Sequence, residues 1–333
     1  MKAVQFAHFG ERDVLEYIDV ATPKPKNDDL LIEVSAAGVN FVDIRERMGV
    51  YGRPETHVGH IDLPHISGLQ AVGTVMEVGP SGDRSRIGAK VMSYLPAGGG
   101  YAQFAVAPAK LSVQLPTSID ETAMAALPTQ GLTAYLMLTA CTQLRPGESV
   151  LVQGASGGVG SIAVQIARIL GAGLVLGTAG SEKKRQFVRS IGADFAVDYN
   201  RPDWPKDVLG KTGGRGVDIL LESIGREIFE QNFECLATFG RYIIFGSTRG
   251  PGKPFEPRRL MKKSQSISGI YLPVYLAKPD LLQEALQFFV EQVANGKLRP
   301  QVSQTLPLSQ AAEAHRLLEE QKTVGVIVLN PKR

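Results

Sequence analysis

The stretch VLVQGASGGVGSIAVQIARILGAGLVLGTAGSEKK, residues 150–184, decides the fold. An apolar run leads into a glycine cluster, a helical stretch and a second apolar run. Glycines stand where a chain leaving a strand must turn sharply into a helix, as in a βαβ unit that seats a dinucleotide. They permit a tight turn, let the backbone approach a pyrophosphate and allow the helix to pack on the strand, while amides at the helix N-terminus face the phosphates. Ala155 occupies the first glycine position, so the motif reads A-x-G-x-x-G, with Gly157 at the close approach and Gly160 where helix meets strand. A purely structural turn is the alternative; the strand before the glycines and the helix after them favour the nucleotide. NAD-selective sites place Asp or Glu about 20 residues further on, against the ribose 2′-hydroxyl. Here the second strand runs out into GTAGSEKK, uncharged through Ser181. A carboxylate there would repel a 2′-phosphate, whereas Lys184 can supply a charge and Ser181 a donor. NADPH is therefore expected rather than NADH; the alternative is that Lys183, Lys184 and Arg185 form the wet face of a helix.

Outward from this unit the βα alternation continues. Strands are predicted at SVLVQGA, GLVLGTA, DFAVDY, VDILLESIG, RYIIFGS and SISGIYL, with helices near 159–171, 181–191, 203–212 and 226–237. Six parallel strands with crossover helices make a doubly wound sheet. Before residue 120 the pattern differs: short pieces such as LLIEVSAAGV and AVGTVMEVG alternate with Gly/Pro turns, as in an all-β unit. IDETAMAALPTQGLTAYLMLTA reads as helical. After 272 come a helix at 279–295, a piece near QTLPL, a helix at 308–321 and a strand VGVIVLN.

The bulk numbers exclude several classes. A net charge of +3 over 333 residues does not demand a strongly basic face, and no nucleic-acid partner is expected. No apolar stretch reaches the ~18 residues needed to span a bilayer, and the charged N-terminus lacks a signal-peptide core. Two cysteines, Cys141 and Cys235, make neither a disulfide framework nor a four-thiolate zinc site. A cytoplasmic protein is expected.

The ordered set AAGVNFVDIRERMGVYG, LPTQGLTAY, QGASGGVG, GTAGSEKK, AVDY and LPLSQAAEAHRLLEEQKTVG resembles the zinc-independent medium-chain dehydrogenases/reductases over the whole chain. Within them it is similar to NADPH:quinone oxidoreductases (zeta-crystallin-like) and their enone and enoyl reductase relatives. The resemblance implies an α/β fold: a GroES-like β domain formed by both chain ends (1–121 and 273–333) and an inserted Rossmann NADPH-binding domain (122–272). It also implies a homodimer, paired around SISGIYL. For the cofactor it implies Ser156, Gly157, Gly158, Val159 and Gly160 at the phosphate turn, and Gly180, Ser181, Lys184 and Tyr199 around the 2′-phosphate and adenine. Ser223, Phe245, Gly246 and Ser247 would stand beside the nicotinamide half, with Asn40, Asp43 and Thr133 lining its pocket. Tyr199 as an ordinary strand tyrosine, and the two serines as plain turn residues, are the alternatives.

Departures matter as well. Asn40 stands where zinc alcohol dehydrogenases have cysteine, and Leu69 and Gln70 where they have a His-Glu pair. No metal is expected, although His57, His60 and His65 lie close in sequence. Val326 replaces a lysine or arginine frequent near the family's C-terminus, which removes one cofactor contact. Without a Lewis acid, an acceptor that spreads its own charge is preferable, such as a quinone or an α,β-unsaturated carbonyl, and the site needs orientation and one or two donors. The amide of Asn40 and the hydroxyl of Tyr51 are the catalytic candidates; Tyr51 matches the proton donor proposed for enoyl reductases, with a pocket-wall role as its alternative. Asp43, Arg47 and Thr129 are expected to line the substrate pocket. Asp43 is expected to keep an ordinary carboxylate pKa and to orient backbone or Arg47. The expected activity is NADPH-dependent hydride transfer to a quinone or enone. Two alternatives stay open: reduction of 2-enoyl thioesters, and a non-enzymatic NADPH-binding protein, crystallin-like or RNA-associated.

Overall fold

The computed structural model describes residues 1–50 and 61–332. They divide into two compact units, Met1–Leu132 with Tyr275–Arg333, and Thr133–Val274.

The first unit begins with β1 (Lys2–Phe6), β2 (Glu16–Asp19), β3 (Leu30–Val39), α1 (Phe41–Arg47), β4 (His65–Ile66), β5 (Gln70–Val78), β6 (Lys90–Tyr94), β7 (Phe104–Ala107), β8 (Ser112–Gln114) and α2 (Glu121–Met124). The segment read as helical across 119–140 is two helices: α2 stops before Pro128, and α3 (Gln130–Leu136) starts after it. Proline brings no N–H and pushes its predecessor out of the helical region, so the periodic pattern cannot run through.

The second unit holds β9 (Ser149–Val152), α4 (Gly158–Ile169), β10 (Leu174–Thr178), α5 (Glu182–Ser190), β11 (Phe195–Val197), α6 (Trp204–Lys211), β12 (Val217–Glu222), α7 (Arg226–Cys235), β13 (Leu236–Ile244) and β14 (Ser266–Gly269). All six strands are parallel, in the order β11-β10-β9-β12-β13-β14. This is the doubly wound arrangement, whose order reverses between β9 and β12 and whose ligand crevice lies beyond the carboxyl ends of the strands. Leu151, Leu176 and Leu220 pack in its core with Trp204, Phe233 and Tyr242.

The chain then returns to the first unit with α8 (Pro279–Ala294), β15 (Val302–Pro307), α9 (Ala311–Glu319) and β16 (Val326–Asn330). β16 pairs antiparallel with β3, Val328 opposite Gly38, so both chain ends build one seven-stranded sheet, β15-β16-β3-β5-β6-β8 with β7 also on β3. Ile32, Val34, Val75, Ile327 and Leu329 fill its core. Among the described residues no helix is long and apolar enough to cross a membrane.

Candidate functional site

The glycine turn connects β9 to α4, with Gly157 as the helix N-cap. Helix geometry leaves the first-turn amides of Gly158, Val159 and Gly160 without intrahelical carbonyls. The two motif glycines have different causes. A Cβ on Gly160 would fall under 3.0 Å from the Gly154 carbonyl oxygen and 2.8 Å from Ala155 Cα, so α4 packs directly on the turn backbone. A Cβ on Gly157 would meet nothing nearer than the Gly154 oxygen at 3.4 Å, and its φ of −81° suits any residue. Neither packing nor φ requires glycine at 157, and the N-cap preference favours it only mildly. An approaching group from outside the chain accounts for it, and free amides beside an open backbone fit a pyrophosphate. Ser156 is buried beside them.

At the end of β10, Ser181 caps α5, its hydroxyl accepting from the Lys184 amide at 3.4 Å. Lys184 is half-buried, and burial lowers its pKa. Gly180 sits against β11's exit: its Cβ would be 2.9 Å from Asn200 Nδ2 and 3.1 Å from the Tyr199 hydroxyl. The first carboxylate after β10, Glu182, is engaged by Arg185 (3.1 Å) and Arg189 (2.8 Å). The structure thus brings Gly180, Ser181, Lys184 and Tyr199 together.

Ser223, after β12, lies between the other strand ends. Its Oγ is 3.5 Å from where a Gly154 Cβ would be, and its Cβ 3.5 Å from that of Gly246. Phe245 N–H donates to Glu222 O (2.9 Å) and Thr248 N–H to Ser223 O (2.8 Å), which sews the loop after β13, with Gly246 and Ser247, to the loop after β12. Thr133 lies on α3.

Beneath these loops is a buried polar network that sequence reasoning missed. Glu222 accepts from the amides of Ile224 (2.5 Å) and Gly225 (2.6 Å) and from Asn232 Nδ2; Asn232 Nδ2 also donates to the Tyr242 hydroxyl, and Gln153 Nε2 donates to Asn232 Oδ1 (2.6 Å). Burial raises the pKa of Glu222 against those backbone donors. An acidic residue closing the buried apolar run ILLE at the end of β12 was the available signal.

In the first unit Asn40 is the N-cap of α1, and its backbone N–H donates to Asp43 Oδ2 (2.8 Å), half of a capping box. Gly49, at φ +64°, ends the helix. Asn40 is 5% exposed; its Nδ2 faces Gly38 O at a long 3.4 Å, and among the described residues its Oδ1 accepts no hydrogen bond of normal geometry. A buried amide so weakly engaged is available to a ligand carbonyl or carboxamide. Asp43 does not keep an ordinary pKa: burial, then the charge of Glu46, pushes it well above the carboxylate range. Nor does it hold Arg47. Asp43 receives the Tyr101 hydroxyl (2.7 Å), while the fully buried Arg47 donates to Glu319 (2.6 Å) and, at 3.4 Å, to His315 Nδ1. Arginine only donates, so His315 carries its proton on Nε2, 3.3 Å from the Tyr101 oxygen. Burial, with Arg47 beside it, holds His315 neutral, its pKa down at about 3. Arg47 is therefore a strut between α1 and α9 rather than a pocket-lining side chain. Thr129 is likewise used within the fold, its N–H donating to Gln70 Oε1 (2.7 Å) and its hydroxyl to Leu69 O (3.3 Å).

Tyr51, His57 and His60 lie outside the described residues. His65 is in β4, its ring 5.4 Å from that of Phe6. Among the described residues no three His, Cys, Asp or Glu side chains group as a metal site. Val326 is buried in β16.

Comparison with known proteins places these observations. Residues 26–117 match the alcohol dehydrogenase GroES-like domain and residues 158–291 the zinc-binding dehydrogenase family. A quinone oxidoreductase of Pseudomonas aeruginosa is 32% identical over 331 residues, covering 99% of each chain. A 2-haloacrylate reductase of a Burkholderia species is 31% identical over 328 residues, covering 96% of this chain and 95% of its own. The crystal structure of Escherichia coli quinone oxidoreductase complexed with NADPH superposes with a TM-score of 0.91 at 30% identity, covering 99% of this chain and all of that one.

Proposed function

The chain belongs to the medium-chain dehydrogenase/reductase superfamily, on its quinone oxidoreductase branch, and from that premise we propose that this oxidoreductase reduces a quinone or an α,β-unsaturated carbonyl without zinc. Its cofactor is NADPH. The observation that carries the reading is the open backbone at Gly157 beside free helix amides, with a strand end that offers Lys184 and whose nearby carboxylates among the described residues, Glu182 and Asp198, are engaged by arginines.

NADPH, when bound, supplies a hydride and its electron pair to the acceptor. The chain's own residues then bind, orient and protonate. The amides of Ser156, Gly157, Gly158, Val159 and Gly160 seat the pyrophosphate, and Gly180, Ser181, Lys184 and Tyr199 hold the phosphorylated adenosine. Ser223, Phe245, Gly246, Ser247 and Thr133 flank the nicotinamide. The Asn40 amide donates to the acceptor oxygen, where an enolate or hydroquinone charge develops. The Tyr51 hydroxyl delivers the closing proton. The donor set favours this over metal-assisted ketone chemistry, since Asn40, Leu69 and Gln70 are neither thiolate, imidazole nor carboxylate. A reductase of a conjugated acrylate among the relatives supports the enone acceptor.

We place the enzyme in the cytoplasm as a homodimer, with β14 as its contact. That strand is a sheet edge, and Met261, Tyr271 and Val274 near it are exposed apolar side chains. The test is loss of NADPH absorbance with a panel of quinones, enones and crotonyl thioesters. Turnover on quinones or enones above that on thioesters is expected. NADPH affinity without oxidation by any acceptor would overturn the enzymatic reading.

A further inference from the structure

Arg249 follows β13 by five residues and is fixed at its backbone, its N–H donating to Ile224 O (2.9 Å). Its guanidinium carbon stands 4.9 Å from the centre of the Tyr199 ring, which lies after β11 on the far side of the sheet order. Tyr199 in turn brings its hydroxyl to Gly180, next to Ser181 and Lys184. The guanidinium is thus carried from the loop after β13 to the strand end read above as the 2′-phosphate side.

Its lack of an anionic partner is informative. In the same unit Arg168, Arg185, Arg189, Arg201, Arg215, Arg241 and Arg259 are each paired with a carboxylate, whereas Arg145, Arg226, Arg249 and Arg258 have no ion pair among the described residues; of these four, Arg249 is the one held over the Tyr199 ring. Among the described residues no carboxylate pairs with Arg249; its described contact is the tyrosine face. A half-buried guanidinium held over an aromatic ring keeps its edge donors free, and a planar fork of donors matches a phosphate monoester in two parallel hydrogen bonds.

We infer that Arg249 is the second cation for the adenosine 2′-phosphate and, with Lys184, determines the preference for NADPH over NADH. This rests on the nucleotide reading above, and the Lys184→Ala variant separates the two. Dissociation constants of NADPH, NADH, 2′,5′-ADP and 5′-ADP are measured for the wild type, Arg249→Ala, Arg249→Lys and Lys184→Ala, with thermal midpoints to confirm folding. Arg249→Ala should weaken NADPH and 2′,5′-ADP about 10- to 100-fold, the size of a lost charge-assisted contact, and leave NADH and 5′-ADP within about twofold. Arg249→Lys, which keeps charge but not the fork, should fall between and also guards against a fold defect in the alanine variant. Equal weakening of phosphorylated and unphosphorylated ligands would overturn the inference, because Arg249 would then serve the adenine or the loop. Unchanged NADPH affinity in Arg249→Ala with a selective loss in Lys184→Ala would also overturn it while sparing the nucleotide reading. No selective loss in either would sink both.

Discussion

Replacing each motif glycine by alanine should separate folding from cofactor binding. At Gly157 the new methyl has nothing closer than 3.4 Å, and φ is −81°. The cost to folding is that of a poorer N-cap, up to about 1 kcal/mol. The same methyl occupies the ground where the pyrophosphate must reach the amides. Losing two charge-assisted hydrogen bonds, each about 1.5–3 kcal/mol, weakens NADPH by about 10²- to 10⁴-fold. At Gly160 the order reverses. The methyl meets the Gly154 carbonyl under 3.0 Å and Ala155 Cα at 2.8 Å, both backbone, so α4 must lift from the turn at an overpacking cost of about 1–3 kcal/mol or more. Urea unfolding measures the first quantity and fluorescence titration with NADPH the second. Gly157→Ala binding NADPH as the wild type does would refute the phosphate seat. Gly160→Ala with undiminished stability would refute the packing argument.

Three further outcomes follow from the buried polar groups. Arg47→Ala removes a fully buried side chain with its bonds to Glu319 and His315, and although Glu319 keeps Arg12 at 3.4 Å, the cavity and the lost bonds should cost about 2–5 kcal/mol in urea unfolding, far more than removal of the exposed Arg201–Asp207 pair. Asp43 holds its proton in the folded state where the unfolded chain has released it. Its stabilising contribution is therefore complete below the ordinary aspartate pKa and is lost as pH rises toward the raised folded value, at a slope of about 1.4 kcal/mol per pH unit. Asp43→Asn should remove that slope from a pH series of urea midpoints; an unchanged slope would show that Asp43 ionises normally. Glu222→Leu strands the amides of Ile224 and Gly225 and the Asn232 side chain, and should cost about 2–4 kcal/mol while raising the KM for NADPH through the disturbed Ser223 loop.

What could be read in the chain and what could not divide along one physical line. β9, β10 and β12 are buried on both faces, so each is an apolar run stopped by glycine or a charge, and their order and the helices between them were legible without a fold in hand. Gly157, Gly160 and the acid-free end of β10 were legible for the same reason, since their meaning is local. Arg47, His315, Tyr101 and Asp43 were not. Their bonds join residues 58, 214 and 268 positions apart, and a single sequence does not announce such pairs. Arg47 was misplaced on that account: on α1 alone it resembles a pocket arginine, and only the arrival of α9 with His315 and Glu319 gives its charge an interior partner. Arg249 shows the converse. Its neighbours in sequence, STRGPG, carry no readable code, and its significance appears when the sheet order brings Tyr199 under the guanidinium. Local chemistry therefore identified the cofactor, while the groups that tension α1 and grade the choice between two nucleotides depend on chain crossings that periodicity does not encode.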